Sequence, residues 1–193
     1  LEEGLRLKEE NSGEVIAVSV GPKRAATSIR EALAKGADRG ILVEDDGFIQ
    51  ADALATAKAL AAVLIREAPD VILTGLQSDD VGFGQTGVIL AELLGLPHAS
   101  IIAEITKISD NTLHVKRELE AGWFQNIELP LPALLTIQSG INKLRYATLL
   151  GIKKAKKKPL DYYSARELGV IPQASQTVEY LYVPQKTKKT LLI

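Results

Sequence analysis

The amino-acid sequence predicts an α/β protein with three layers, a mostly parallel sheet, an antiparallel addition and a C-terminal arm. Three observations carry this reading. Short β-branched apolar runs alternate with helical stretches over residues 1–94, the order that parallel strands with helical crossovers require. After Pro97 the pattern changes to strand-like runs separated by short turn signals, which reads as antiparallel pairing. From about residue 151 lysines and polar spacers replace the apolar periodicity.

Residues 1–10 read as an amphipathic helix with Leu1 and Leu5 one turn apart. Residues 15–20 form a near-continuous apolar strand closed by Gly21-Pro22, and residues 25–35 a helix with Gly36 where a C-terminal glycine belongs. Residues 40–43 are a second strand. Residues 52–68 are a long alanine-rich helix that Asp52 can cap and Pro69 follows. The third strand begins at Val71, and a helix over residues 86–94 is stopped by Gly95 and Pro97. The buried runs fit a sheet covered on both faces, hence a Rossmann-like α/β/α body. Residues 100–108 and 112–119 form a hairpin about an Asp110-Asn111 turn. Residues 123–129 and 133–137 continue as strands, with Pro130 and Pro132 at strand edges or starts. A nucleotide-binding domain is expected over residues 1–152. An arm packed on something else is expected over 153–193, with one strand at residues 178–183.

At 193 residues the chain suits one domain with an appendage, and a hydrophobic content of 46% argues against disorder. A net charge of −1 argues against wholesale nucleic-acid binding, and the lack of cysteine excludes disulfides, thiolate metal sites and cysteine nucleophiles. No apolar run approaches the roughly 18 residues of a membrane span. No secretory signal is visible, so an intracellular protein is expected. His98 and His114 sit in different elements and share no metal-ligand spacing. Ser78 lacks a G-x-S-x-G elbow. Glu118 and Glu120 alternate on a predicted strand, but nothing else resembles a glycosidase. The sequence contains no self-sufficient catalytic centre.

The chemistry concentrates in the junction after the third strand. Gly75, Leu76, Gln77, Ser78, Asp79, Asp80, Val81, Gly82, Phe83, Gly84 and Gln85 form a loop that ends at Thr86, the start of the next helix. A helix start leaves backbone N–H groups unpaired and favours negative charge. The loop matches neither G-x-G-x-x-G nor G-x-x-x-x-G-K-[ST], and Asp79 and Asp80 would repel a phosphate at close range. On spacing alone, a nucleotide site and a plain strand–helix junction both stand.

The residues themselves go further. Thr-Gly-x-Gln-Ser-Asp-Asp followed by Gly-Gln-Thr-Gly resembles the adenine-nucleotide loop of the electron-transfer flavoprotein β subunit. The stretches 14–22, 34–40, 115–122, 129–136, 145–149 and the lysine run at 153–158 resemble the same family in the same order. The resemblance implies a heterodimer with an α subunit that carries most of one FAD, a structural AMP on the β subunit, and no enzymatic activity of its own. Electrons would come from acyl-CoA or other dehydrogenases and pass to a quinone oxidoreductase. It also implies that Val20 and residues Gly75 to Thr86 line the AMP pocket, with Gln85 and Thr86 at the phosphate. Relatives that bifurcate electrons hold a second FAD there; Gln85-Thr86-Gly87 resembles the AMP-type variant instead. Arg145, Tyr146 and Leu149 match the loop that recognises dehydrogenases, Leu149 as its anchor, and Glu118 matches a carboxylate facing the mobile flavin domain. The family pattern has two glycines where Ala121-Gly122 stands, and a strand and loop ahead of the first helix that this sequence does not contain. A bacterial or archaeal cytoplasm is implied, or a mitochondrial matrix. A universal-stress-type protein, a colourless homodimer binding ATP or AMP, is the alternative reading. An ATP-using enzyme of the same broad fold would need a pyrophosphate loop that the sequence lacks.

Overall fold

The structure is a computed structural model that describes residues 1–109, 111–176 and 178–183, with the backbone alone at Lys107. The described residues form five helices, α1 Glu2–Asn11, α2 Ala26–Lys35, α3 Ala53–Glu67, α4 Thr86–Leu94 and α5 Leu149–Ala155. Their eight strands are β1 Ile16–Gly21, β2 Arg39–Glu44, β3 Val71–Gly75, β4 His98–Ser109, β5 Thr112–Glu118, β6 Phe124–Pro130, β7 Ala133–Ile137 and β8 Leu160–Tyr163. The stop signals act as expected. The Asp52 carboxylate accepts the Ala55 N–H at 2.8 Å, capping α3, and Gly95 ends α4 in the left-handed region.

The strands fall into two sheets. One is wholly parallel, in the order β1-β2-β8; the other runs β3-β7-β4-β5-β6, with β3, β7 and β4 parallel and β5 and β6 added antiparallel. No ladder joins β1 to β3. Helix α3 joins the sheets instead, through two stripes at helical spacing. Ala59 and Val63 pack with Ile41 and Val43 of β2, while Ala57 and Ala61 pack with Ile72 of β3, Leu134 of β7 and Leu90 of α4. From the opposite face, α1 lays Gly4 against Leu73 of β3 and Val15. Period-2 alternation covers both faces of β2: Ile41 and Val43 meet α3, and Leu42 meets Ile29 and Leu33 of α2 with Ala155 of α5. A side chain at Gly40 would collide with Ile29, so only glycine lets α2 lie this close.

The mixed sheet curls. β4 shifts register against both neighbours, and Ile101 has a φ of 61° while its N–H donates to the buried Thr136 hydroxyl at 3.3 Å. Pro130 closes β6, an edge strand, where a missing N–H costs no ladder bond.

Four sequence expectations are corrected or bounded. Residues 153–168 belong to the body: Ala155 and Ala165 are buried, and β8 extends the parallel sheet. Residues 178–183 form no strand. Their β-propensity has no described ladder to join, and the side chains of Val178, Tyr180, Leu181, Tyr182 and Val183 are exposed. β5 ends at Glu118, and Glu120 lies in a 3₁₀ turn, so the two carboxylates do not share a strand face. The expected hairpin turn is seen only at Asn111, because Asp110 lies outside the described residues.

Candidate functional site

The loop from Gly75 to Thr86 leaves the end of β3 and turns back into α4. The Leu76 N–H still donates to the Ile137 carbonyl at 3.2 Å, so the first loop residue remains held by β7. Beyond it, Gln77 to Phe83 are exposed, with Val81 and Phe83 presenting 58% and 62% of their surface. Asp80 closes a turn by accepting the Val81 N–H at 2.7 Å, and Ser78 Oγ accepts the Gly82 N–H at 3.4 Å. The Ser78 hydroxyl, with the Val81 N–H, holds the Asp80 carboxyl below the usual carboxylate range. Gly82 and Gly84 occupy the left-handed region, at φ 67° and 61°, which carries the loop back to α4.

The start of α4 has the properties of an anion cradle. Gln85 is its N-cap residue and makes no side-chain capping bond, so among the described residues the first-turn N–H groups have no side-chain acceptor. Gly87 brings this end down onto the strands. A Cβ there would sit 2.5 Å from Thr74 Oγ1 and 2.6 Å from Thr136 Cγ2. Thr74 Oγ1 is itself buried and makes no hydrogen bond among the described residues. Thr74 faces Thr136 across the β3–β7 ladder, a pairing that no local pattern in the sequence announces. Val20 stands apart: it lies near the end of β1, in the other sheet, half-buried against the Ile41–Val43 cluster.

The second candidate site runs from Gln138 to Lys158. Thr148 Oγ1 accepts the Gly151 N–H at 3.0 Å and starts α5. Gly151 lies against the Ala34 carbonyl, too close for any side chain, so α5 packs tightly on α2. This orientation leaves Leu149 88% and Leu150 60% exposed, next to Tyr146 at 89%. Lys153, Lys154, Lys156 and Lys157 are exposed as well. Lys158 is not part of that patch. Its Nζ donates to the Leu33 and Ala37 carbonyls at 3.1 and 2.5 Å, closing the end of α2, and burial pushes its pKa down. Arg145 is not free either: its guanidinium is bound to Glu2 and Glu9 of α1.

Glu118 ends β5 half-buried, where it accepts from Gln138 Nε2 at 3.4 Å. Beside it the hairpin tip exposes Trp123 and Phe124, with Lys116 Nζ 4.3 Å from the centre of the Phe124 ring. His114 lies 3.4 Å from Glu128 on the neighbouring strand. No group of described residues has the make-up of a metal site. No described helix is long and apolar enough to cross a membrane.

Comparison with known proteins gives the family. Residues 1–168 match the model of the electron transfer flavoprotein domain. The whole chain is 41% identical to the electron transfer flavoprotein subunit beta of Methylophilus methylotrophus, of which it covers 76%. Over 88% of its length it is 42% identical to the protein of that name from Bradyrhizobium diazoefficiens and 41% identical to that of Mus musculus, covering 67% of each. The similar protein of Arabidopsis thaliana, 36% identical across the whole chain, is mitochondrial by name. With residues 1–168 matching that model and identities of 36–42% to these subunits, the chain belongs to the β subunits of the electron transfer flavoprotein family, electron carriers rather than enzymes.

Proposed function

We propose that the chain works as the β half of a heterodimer, holding AMP in the Gly75–Thr86 loop and presenting the FAD of an α subunit to dehydrogenases. The observation that carries the nucleotide assignment is the start of α4. It combines uncapped N–H groups, a glycine-enforced approach to β3 and β7, and the buried, unpaired Thr74 hydroxyl. A phosphate would accept from the uncapped N–H groups, with Gly87 keeping this helix end close against the strands. Thr86, Gln85 and the first-turn N–H groups would hold it, and Gly75 would admit the nucleotide close to the backbone. Asp80 is engaged in its own turn with Ser78 and Val81, which leaves Asp79 as the exposed carboxylate suited to ribose hydroxyls. Val20 would border the pocket from the other sheet.

The flavin supplies the redox chemistry when it is bound. The chain's own part is to hold, orient and dock. Glu118, fixed by Gln138 beside the exposed Trp123 and Phe124, would face the flavin-bearing domain. Leu149 and Tyr146 would enter a pocket on an acyl-CoA or other dehydrogenase, with the four exposed lysines steering the encounter, and a quinone oxidoreductase would take the electrons onward. The arm beyond Ser175 would pack on the α subunit. A cytoplasmic or mitochondrial-matrix setting follows from the same reading.

The test is chemical. The purified heterodimer is denatured and its released small molecules are quantified. One FAD and one AMP per heterodimer are expected; two flavins and no AMP would show that this loop is of the bifurcating kind.

A further inference from the structure

We infer that α1 positions the docking loop: Glu2 and Glu9 clamp Arg145, and Glu3 holds Asn142, so that Tyr146 and Leu149 are presented in one pose. The inference rests on the docking reading above, and it moves Arg145 from the interface to the support behind it.

The contacts are extensive. Arg145 Nε lies 2.9 and 3.0 Å from the two Glu2 carboxylate oxygens, and Nη2 lies 2.6 Å from Glu2 Oε1. Nη1 lies 2.6 Å and Nη2 3.3 Å from the Glu9 oxygens. The backbone N–H of Arg145 also donates to Glu2, at 3.0 Å. All three guanidinium nitrogens are thus engaged in forked, charge-assisted bonds, the geometry in which arginine acts as a rigid brace. Reaching a partner would require breaking them. Glu2 and Glu9 are seven residues apart and share one face of α1. Next to Glu2 in the chain, the buried Glu3 accepts from Asn142 Nδ2 at 2.8 Å and from Arg6 Nε at 3.0 Å. Arg6 in turn donates to the Ile105 carbonyl at 2.9 Å, which fixes α1 on β4.

The loop needs such support. Residues 138–148 contain no helix or strand. Its ends are fixed by β7 and by the Thr148 cap, and the described side-chain bonds that hold its middle come from α1. Fixing a loop in advance removes the ordering cost from the binding step. If releasing the clamp lowers the binding-competent fraction to between about a third and a tenth, the apparent dissociation constant rises by the reciprocal, about three- to tenfold.

The experiment uses the intact heterodimer carrying Glu2→Gln with Glu9→Gln, and a reductant dehydrogenase titrated against it. Two readings are taken: hydrogen exchange of the residue 141–148 amides, and the dehydrogenase concentration that half-saturates flavin reduction. Faster exchange together with a three- to tenfold higher half-saturating concentration supports the inference. Unchanged exchange overturns it, because the clamp then does not hold the loop. Docking that is unchanged or tightened also overturns it, since freeing Arg145 would strengthen binding only if that arginine itself reached the partner. Leu149→Ala is measured in parallel. If it leaves docking intact, the docking reading itself falls, and the clamp is then judged on exchange alone.

Discussion

Leu149 gives its side chain almost wholly to solvent, which fixes what its removal does. Truncating an exposed leucine opens no cavity, so Leu149→Ala should leave the melting temperature within the range of ordinary surface changes, about 0.5 kcal/mol. Filling a partner's pocket, the same side chain contributes about 1.5–3 kcal/mol from apolar burial. Docking should therefore weaken by about one to two orders of magnitude, read as the dehydrogenase concentration that half-saturates flavin reduction. A large fall in melting temperature with unchanged docking would refute the assignment. The lysines divide by position. Replacing Lys153, Lys154, Lys156 or Lys157 with alanine should lower the association rate and flatten its salt dependence, with little effect on stability. Lys158→Ala should instead destabilise the fold, because it leaves the Leu33 and Ala37 carbonyls at the end of α2 without their charged donor. In the sequence these lysines form one run. Only the packing of α5 on α2 separates the residue that closes a helix from those that face water.

At the scale of elements, legibility followed the range of the interactions. Strand and helix types, the Asp52 cap and the Gly95 stop are local, and they were readable from neighbouring residues. The double role of α3 was not. Its stripes, Ala57 with Ala61 and Ala59 with Val63, are both made of small apolar residues, so composition hides which face meets which sheet. The root of the arm was equally hidden. Pro172 lies against Gly47, where a side chain would come within 2.6 Å of the ring, and the Ser175 N–H donates to Asp52 Oδ2 at 2.6 Å. The Asp52 carboxylate thus caps α3 with one oxygen and holds the arm with the other. Truncating the chain after Gln176 should spare the body, because the sheets, α5 and Ala165 all precede that point. It should abolish assembly with the α subunit, measured as co-purification and flavin content. A truncated chain that still co-purifies at full flavin occupancy would show that the arm does not bind the α subunit.

At the scale of the whole molecule, the resemblance read from short motifs pointed to the family that the full-length comparisons show, while the split of the sheet could not be read at all. Alternating strands and helices imply parallel pairing, but which strands pair is decided by contacts distant in sequence, such as β3 with β7 and β2 with β8. The apolar clusters that lock the body together do not titrate, but carboxylates that hold its elements and turns do, and acid is their common weakness. Arg145 holds the Glu2 and Glu9 carboxyls below the usual carboxylate range. At Asp38 burial pulls upward, but Lys8 and the Val15 N–H outweigh it and the net shift is downward. The Ala55 N–H lowers Asp52, and the Ser164 N–H and hydroxyl lower Glu167. Each group binds its proton less tightly when folded than when unfolded. Its contribution is therefore fully present above the unfolded carboxylate value of about 4, and is lost as pH falls through the folded value. The melting temperature should be nearly flat from about pH 8 to pH 5 and fall steeply below pH 4. The α1 clamp should fail within the same fall, since Glu2 and Glu9 are among the groups that take up protons. In the Glu2→Gln with Glu9→Gln variant, two of these titrating groups are gone, so its melting temperature should depend less steeply on pH below 4 than that of the parent. Melting curves of both heterodimers between pH 3 and pH 8 measure the difference. Parallel acid limbs would mean that the clamp adds no stability to the folded body.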